Sequence, residues 1–553
     1  MPAWRDGIVC RSPIVSWMRR RAADAGILAA PATLAAGSRP PHGRSAAKPD
    51  RTRRPMKTLH LARGGQTPWP AQQRTDMTAL LRRPLCAETL MARAQRQTGL
   101  TDFGDAPFRP GLQVFLRACA EEAELSWFGH FGTRWDVVRF LSNLLRLRQA
   151  ETLRPAILEQ RVAQPIFITG LPRSGTTFLH KLLAADPKNR VPRIWQTIHP
   201  YPSAKGADRR QQRVARQLRM FQLLAPEFRR LHPISADSPQ ECTEITAHLF
   251  ASLRFDMTYR VPSYRRWLDA AGHLDAYRFH QRFLQHLQFQ AGGGGQWVLK
   301  CPDHVFAFDA IRAVYPDARI VFVHRDPFRA LLSVARLTEV LRRPFTRHFD
   351  RSGLGREQSE RWLAASELMI AATDRQPFVT PIHHVHYRDL VGDPLGAVRA
   401  LYRHFDIELA GAAAAKIART VAANPDGGYA ANHYRLEDYG FDPAAERERY
   451  ARYMTRFGIA PEADAEARAG ADPAAPSAPR LSAELAKRAA LTAARDKGGA
   501  TAQAIACGQT PRPRAAPRPV PAAAQEAPPP PGRRPSARLG GTEASLAADG
   551  PGR

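Results

Sequence analysis

Residues 165–180 constrain the fold of this chain more than any other part of its sequence. They contain an apolar run, a loop bounded by Gly170 and Gly175, and a segment with the apolar spacing of an amphipathic helix. A strand, a glycine-bounded loop and a helix in this order direct backbone N–H groups and the positive end of a helix dipole toward one point. The sequence therefore predicts an anion-binding site at a strand–helix junction.

The loop has the Gly-x4-Gly spacing of a nucleotide P-loop but differs in the residues that follow. A nucleoside triphosphate motif continues with Gly-Lys-[Ser/Thr]. Here Thr176 stands where the lysine would be, and the cation of the loop is Arg173. We expect a phosphate site that is not built for Mg²⁺-assisted phosphoryl transfer, although a P-loop kinase or other nucleoside triphosphatase remains an alternative. The candidate anion ligands are Gly170, Pro172, Arg173, Ser174, Gly175, Thr176 and Thr177.

Further apolar runs alternate with helical patterns along the chain. Short strands are predicted at residues 297–299, 320–323 and 383–387, with helices between them. This alternation predicts an α/β fold, a P-loop-type parallel sheet flanked by helices, with ligands at the carboxyl ends of the strands. The predicted organisation is a disordered basic extension at 1–75, a helical annex at 76–160, the α/β domain at 161–458, and a disordered Ala/Pro/Arg-rich tail at 459–553.

Charge and cysteine usage narrow the function classes. The formal net charge is +30, yet no zinc-finger spacing, RNA-binding aromatic signature or basic-zipper heptad is present. A non-catalytic basic binder of nucleic acid or of a membrane surface therefore remains only an alternative. The six cysteines form no Cys-x-x-Cys pair, which is typical of a reducing compartment, and no apolar run reaches the ~18 residues that suggest a membrane span. We expect a cytoplasmic protein without a transmembrane segment.

A second anion site is predicted after the 320–323 strand. Arg325 follows this strand, and Ser333 lies eight residues further on, about two turns into the next helix. A guanidinium group binds phosphate oxygens in a bidentate manner, and a serine hydroxyl can complete the site. Two anion sites on one sheet indicate a ligand with two separate phosphate groups.

A third motif places a cation and a possible base after the 297–299 strand, namely Lys300 and His304. Histidine can accept a proton near neutral pH. The histidines at 383, 384 and 386 could suggest a metal site. However, only His384 and His386 would share a strand face, and no third ligand is evident, so we predict no metal.

These motifs, in this order, resemble the sulfotransferase family, and more narrowly its bacterial members with a Pro-Arg-Ser-Gly-Thr-Thr loop. The resemblance covers roughly residues 85–455. It also includes motifs at 237–242, 387–394 and 433–440. It implies 3′-phosphoadenosine 5′-phosphosulfate as the sulfuryl donor, no metal cofactor, and transfer to a hydroxyl or amine. The acceptor would be a small molecule, a glycan or a lipid that the sequence does not identify.

The resemblance also implies a role for each group of residues. Loop 170–177 would bind the 5′-phosphosulfate, Arg325 and Ser333 the 3′-phosphate, and Tyr387 would lie near the adenine. Arg173 and Lys300 would stabilise the charge that develops during transfer.

The resemblance leaves two candidates for the general base. His304 would accept the proton of the acceptor. Many relatives of this subgroup read Trp-Glu where this chain has Trp195 and Gln196. Because glutamine cannot serve as the base, Glu241 is the second candidate beside His304.

Overall fold

The computed structural model describes residues 85–202, 207–224, 227–228, 234–423 and 436–462. The predicted extension at 1–75 lies outside these residues, as does most of the predicted tail and the start of the 433–440 motif. The described part runs four residues past the predicted domain end at 458. Within the described residues, no helix is both long and apolar enough to cross a membrane.

Five parallel strands form the sheet at the centre of the fold. They are β1 (Ile166–Gly170), β2 (Asn189–Arg190), β3 (Gln296–Lys300), β4 (Arg319–His324) and β5 (His383–His386). Their order in the sheet is β2-β3-β1-β4-β5, and every recorded pairing is parallel. The predicted parallel α/β sheet is confirmed. Ligands of such sheets bind where the strand order reverses, and here β1 has β3 on one side and β4 on the other.

Alternate residues of the central strands pack on opposite faces of the sheet. Phe167 and Phe322 belong to a large apolar core on one face, whereas Ile168 and Val321 belong to a second core on the other. Side chains on a strand alternate in direction, and a parallel sheet covered on both faces therefore needs continuous apolar strands. Burial of all five residues of β1 fits this arrangement.

Helices cover both faces of the sheet, and their bounds are as follows. They are α1 (Ala87–Thr98), α2 (Arg109–Glu121), α3 (Trp127–Leu153), α4 (Thr176–Ala184), α5 (Ile194–Ile198), α6 (Arg210–Leu224), α7 (Thr243–Thr246), α8 (Arg254–Thr258), α9 (Pro262–Ala271), α10 (Leu274–Gln290), α11 (Phe308–Val314), α12 (Pro327–Arg342), α13 (Arg351–Arg375), α14 (Tyr387–Gly392), α15 (Pro394–His404), α16 (Gly411–Ala423), α17 (Pro443–Arg449) and α18 (Ala451–Arg456). Four 3₁₀ turns lie at Pro155–Ile157, Ala247–Leu249, Pro302–Ala307 and Leu436–Tyr439.

The N-terminal helices share the core of the sheet. Phe140 of α3 and Phe283 of α10 are fully buried in the same cluster as Phe167 of β1. Helix α3 begins after Ser126, whose side chain accepts a hydrogen bond from the N–H of Gly129 and so caps the helix. Helices α1, α2 and α3 lie within the stretch 76–160 that was interpreted as a helical annex, and α3 packs into the core beside β1.

Candidate active site

The loop between β1 and α4 has the backbone geometry of an anion cradle. Gly170, Arg173 and Gly175 have φ angles of 146°, 66° and 96°. A Cβ atom at Gly175 would lie 2.8 Å from the ring of Tyr387, so only glycine fits there. Helix α4 begins directly after Gly175, and its first N–H groups therefore face the loop.

One buried group of the loop lacks a protein partner among the described residues. The hydroxyl Oγ of Ser174 is fully buried and makes no hydrogen bond there. A buried hydroxyl without a partner costs free energy that a bound anion would recover. This hydroxyl, the positive φ angles and the helix start all fit a phosphate- or sulfate-sized group.

The two predicted anion sites are adjacent. Arg325 Nη1 donates to the backbone carbonyl of Arg173 at 3.0 Å, and Arg173 Nε donates to Ser333 Oγ at 3.0 Å. The guanidinium of Arg325 also lies over the ring of Tyr387, 4.0 Å from its centroid. Four parts of the fold therefore meet at one place: the loop after β1, the end of β4, helix α12 and the start of α14.

Arg325 has a further partner that the sequence did not indicate. Its Nε and Nη2 each donate to the carboxylate of Glu462 at 2.8 Å, and the backbone N–H of Glu462 donates to Asp326 Oδ2 at 2.8 Å. Burial opposes the charge of Arg325, but its hydrogen bonds to Glu462 and nearby negative charges raise its pKa. Residues just past the predicted end of the domain thus complete this part of the site.

Lys300 at the end of β3 lies beside the phosphate loop. It is 2% exposed, and its ammonium group donates to Thr177 Oγ1 at 3.1 Å and forms an ion pair with Glu241. A buried cation next to an anion loop can stabilise negative charge that develops during a reaction. Lys300, Glu241 and Thr177 are thus brought together, as the sequence interpretation requires.

His304 does not face this site. It is fully buried, its Nδ1 is hydrogen-bonded to the hydroxyl of Tyr277, and its ring meets Phe167 of the core. Burial, with the charges of nearby groups including Lys300, lowers its pKa well below the ordinary value. The expectation that His304 shares a crevice with Lys300 is therefore wrong.

The neighbouring residue, Asp303, faces the site instead. Residues 302–307 form a 3₁₀ turn, in which consecutive side chains point about 120° apart. Asp303 lines the cavity next to Glu241, and its Oδ2 accepts a hydrogen bond from the N–H of Leu253 at 3.2 Å. Burial, and then the charge of Glu241, raise the pKa of Asp303 to about 7. Sequence reasoning missed this residue although it lies within the motif that contains Lys300 and His304.

A cavity of about 480 Å³ extends from the phosphate loop. Its polar end contains Arg173, Thr177, Glu241, Asp303 and Arg325. The rest of its wall is mainly apolar and aromatic, and includes Phe128, Phe131, Trp135, Ile198, Leu218, Phe221, Phe228, Met257, Val334, Leu337, Leu341, Phe345 and Trp362. A volume of this size is ordinary for a small-molecule site.

The strand histidines form a cluster apart from the cavity wall. His324 Nε2 lies 2.9 Å from His384 Nδ1, and the two rings stack with centroids 5.2 Å apart. Burial lowers the pKa of both residues. Across the described ranges, no group of three or more potential metal ligands is close enough to hold an ion.

Fold and site together define a phosphate-loop α/β enzyme whose two predicted anion positions flank the central strand. A family model described as the sulfotransferase family matches residues 165–411. The resemblance to the sulfotransferase family noted from the sequence is thereby confirmed.

Relatives and solved structures agree with this assignment. The chain is 26% identical over 303 residues to the omega-hydroxy-beta-dihydromenaquinone-9 sulfotransferase Stf3 of Mycobacterium tuberculosis and of Mycobacterium bovis, covering 50% of this chain and 72% of the relative. The sulfotransferase STF9 of Mycobacterium avium is 27% identical with a TM-score of 0.63, covering 69% of this chain and 99% of that one. STF1 of M. tuberculosis is 29% identical with a TM-score of 0.59, covering 66% and 98%.

Proposed function

We propose that this sulfotransferase takes its sulfuryl group from 3′-phosphoadenosine 5′-phosphosulfate and transfers it to a hydroxyl or amine at the polar end of the cavity. The 5′-phosphosulfate would bind to loop 170–177, and the 3′-phosphate to Arg325 and Ser333. Tyr387, which lies against Gly175 and under Arg325, would border the adenine.

The contact between the two anion positions is the observation on which this proposal rests. Arg325 donates to the carbonyl of Arg173 at 3.0 Å, and both arginines line one cavity. A nucleotide with phosphates at both the 3′ and 5′ positions can bridge two such positions at neighbouring βα junctions. Two arginines that faced unrelated surfaces would have excluded this ligand.

The chemistry would be largely electrostatic. As the bond from sulfur to the bridging oxygen breaks, negative charge develops on the leaving phosphate. The N–H groups of loop 170–177, Arg173 and Lys300 are positioned to stabilise that charge. Glu241 forms an ion pair with Lys300, and we assign it the role of holding the ammonium group next to Thr177.

The cavity wall favours an apolar acceptor. Phe131, Trp135 and Leu337 are among the many carbon-rich residues that line it beyond the polar end. Such a wall is complementary to a chain or ring system, and its polar end would meet a hydroxyl. The relative Stf3 is named as a sulfotransferase of omega-hydroxy-beta-dihydromenaquinone-9, a hydroxylated menaquinone derivative and so the same kind of molecule.

Ligand-induced stabilisation tests the sulfuryl donor. We expect 3′,5′-diphosphoadenosine to raise the Tm clearly more than AMP, which lacks only the 3′-phosphate, and more than ATP with Mg²⁺. Arg325→Met should reduce the rise in Tm caused by 3′,5′-diphosphoadenosine to the smaller rise caused by AMP. A larger shift with ATP and Mg²⁺ would instead support the nucleoside triphosphatase alternative.

Transfer of radiolabelled sulfate tests the acceptor. A hydroxylated prenylquinone should be labelled, and a sugar alcohol should not. Leu337→Gln should raise the KM for the prenylquinone about tenfold, because it places an amide in the apolar wall, and should leave the diphosphoadenosine shift unchanged. Leu337→Met is the volume-matched control. Preferential labelling of the sugar alcohol would contradict the apolar-acceptor proposal.

A further inference from the structure

Transfer to a hydroxyl requires a group that accepts the proton of that hydroxyl, and neither predicted base fits this role. His304 is buried in the core, where its ring packs against Phe167 and its Nδ1 meets Tyr277. Glu241 lines the cavity, but its carboxylate is in an ion pair with Lys300. Removing Glu241 from that pair would leave a buried lysine uncompensated, which is costly.

Asp303 is a further carboxylate that lines the cavity, beside Glu241. Asp136 and Glu244 line it as well, but both form ion pairs with Arg139 and Arg254. Asp303 lies three residues after Lys300, on the turn that carries His304 away from the site. Its Oδ2 accepts the N–H of Leu253, and the carbonyl of the preceding Pro302 accepts from Thr169 Oγ1 of β1 at 3.3 Å. The turn is therefore fixed to the strand that leads into the phosphate loop.

The charged and titratable groups around Asp303 come from several elements. They are Glu241 and Cys242 before α7, Tyr264 of α9, Tyr277 of α10, Cys301 of its own turn and Arg361 of α13. Burial and then the Glu241 charge raise the pKa of Asp303, and Arg361 acts in the opposite direction. Two neighbouring carboxyl groups take different roles in catalysis when their surroundings differ. Here one carboxyl group has a raised pKa, and the other forms an ion pair with a lysine.

We propose that Asp303 is the general base of the reaction, an inference that rests on the proposed function. The hydroxyl proton of the acceptor passes to a carboxylate oxygen of Asp303. The hydroxyl oxygen uses the electron pair of its O–H bond to form the new bond to sulfur. The bond between sulfur and the bridging oxygen breaks, and its electron pair stays on the phosphate of 3′,5′-diphosphoadenosine. Asp303 then returns the proton to water.

The pH dependence of kcat tests this role. Wild-type kcat should rise as pH increases through about 7, because only the ionised carboxylate accepts a proton. Asp303→Asn keeps an oxygen for the N–H of Leu253 but is not basic. It should lower kcat ~10²-fold and abolish the rise of kcat with pH. The shift in Tm that 3′,5′-diphosphoadenosine causes should stay as in wild type. Asp303→Glu should recover part of the rate together with a pH-dependent limb.

Asp309→Asn is the matched control, because this side chain is 99% exposed and lies on the following helix, α11. It should leave kcat and its pH profile unchanged. If the wild-type enzyme is active and Asp303→Asn keeps both its kcat and the rise of kcat with pH, Asp303 is not the general base. That outcome would leave the proposed function intact. A wild-type enzyme that binds the nucleotide but transfers nothing to either acceptor class contradicts the proposed function, and this role with it.

A second observation concerns Glu462 and is independent of the first. Its carboxylate binds Arg325 in the bidentate geometry that a phosphate group would use, with two distances of 2.8 Å. Both side chains are 22% exposed. Glu462 thus presents an anion at the position proposed for the 3′-phosphate.

We infer that Glu462 competes with the 3′-phosphate for Arg325, so that the carboxylate of Glu462 leaves Arg325 when the nucleotide binds. This inference also rests on the proposed function. The backbone N–H of Glu462 is held by Asp326 next to Arg325, which keeps the carboxylate at a high local concentration. A 3′-phosphate must displace this carboxylate before it can bind to Arg325.

The direction of an affinity change tests the competition. Glu462→Gln should bind 3′,5′-diphosphoadenosine about tenfold more tightly than wild type by calorimetry, with the Kd for AMP unchanged. Unchanged or weaker binding of diphosphoadenosine would mean that Glu462 only positions Arg325, and would overturn the inference. Inorganic pyrophosphate serves as a second probe. Tighter pyrophosphate binding by the variant, with no nucleotide bound by either protein, would support the competition and contradict the proposed function.

Discussion

Several residues of the site are in conformations or surroundings that lower the stability of the fold. Such unfavourable features fit a functional rather than a structural role. Arg173 adopts a φ of 66°, which is unfavourable for a residue with a side chain, and Ser174 buries a hydroxyl without a partner among the described residues. Asp303 is an acid whose ionised form burial disfavours. Each of these costs lies within the phosphate loop or at the polar end of the cavity.

Two substitutions of Arg173 separate its backbone from its side chain. Arg173→Ala and Arg173→Gly should both lower kcat ~10²–10³-fold, because both remove the guanidinium group from the anion loop. The glycine variant should be about 1 kcal/mol more stable than the alanine variant, because glycine tolerates positive φ. Urea unfolding measures the difference, and equal stabilities would show that the loop backbone is not strained.

The stability of Asp303→Asn should depend on pH in a defined direction. Because the folded pKa of about 7 exceeds the unfolded value of 3.8, the native state holds a proton that the unfolded chain has lost between these pH values. This group therefore lowers wild-type stability as pH rises from about 4 to 7. The Tm of the variant, relative to wild type, should rise over the same range. A constant difference would contradict the raised pKa.

At the level of secondary structure, much of the architecture could be predicted from the sequence. The strands at 297–299, 320–323 and 383–387 were expected within one or two residues of their observed bounds, because continuous apolar runs between helical patterns are a strong signal. Strand β2 has only two residues and no apolar pattern, so it could not be predicted. The side-chain directions within the 302–307 turn were also not predictable, since they depend on its 3₁₀ geometry.

Glu339 connects three elements and provides a test at this scale. This fully buried residue of α12 accepts hydrogen bonds from Arg343 and from Arg351 of α13, and also from Tyr439 of the 436–439 turn. Burial opposes its charge, but these bonds outweigh it and lower its pKa to about 2.

Glu339→Gln should lower the free energy of unfolding by about 3 kcal/mol at pH 7, because it removes the buried carboxylate that Arg336, Arg343 and Arg351 share. The loss should shrink as pH falls from about 4.5 toward 2, where the wild-type carboxylate also becomes protonated. Glu360→Gln, at an exposed position of α13, is the control and should be close to neutral. A pH-independent difference would contradict the lowered pKa of Glu339.

For the whole molecule, the sequence indicated the family resemblance and the parallel sheet, but not the contacts made by residues 461 and 462. The domain was expected to end at 458, yet Arg388 donates to the carbonyl of Pro461 at 2.9 Å and Glu462 binds Arg325. These are contacts between residues far apart in sequence, and a composition that shifts toward alanine and proline does not reveal them.

Removal of residues 1–75 and 463–553 tests whether the remaining residues suffice. The shortened chain should give the same Tm shift with 3′,5′-diphosphoadenosine as the full chain, because every residue proposed to bind this ligand is retained. If the full chain binds DNA in a salt-sensitive manner, the shortened chain should lose that binding, since many arginines are removed. A shortened chain that folds but no longer responds to the nucleotide would contradict the proposed domain bounds.

The composition of the cavity wall has a consequence for redesign. Most of its apolar residues come from α3, α6, α8 and α12, whereas the proposed anion contacts come from the loop after β1, from the ends of β3 and β4, and from Ser333 of α12. Mutant libraries directed at the wall could therefore broaden the range of molecules sulfated without altering cofactor affinity. Phe131, Trp135 and Leu218 are the natural starting positions for such directed evolution.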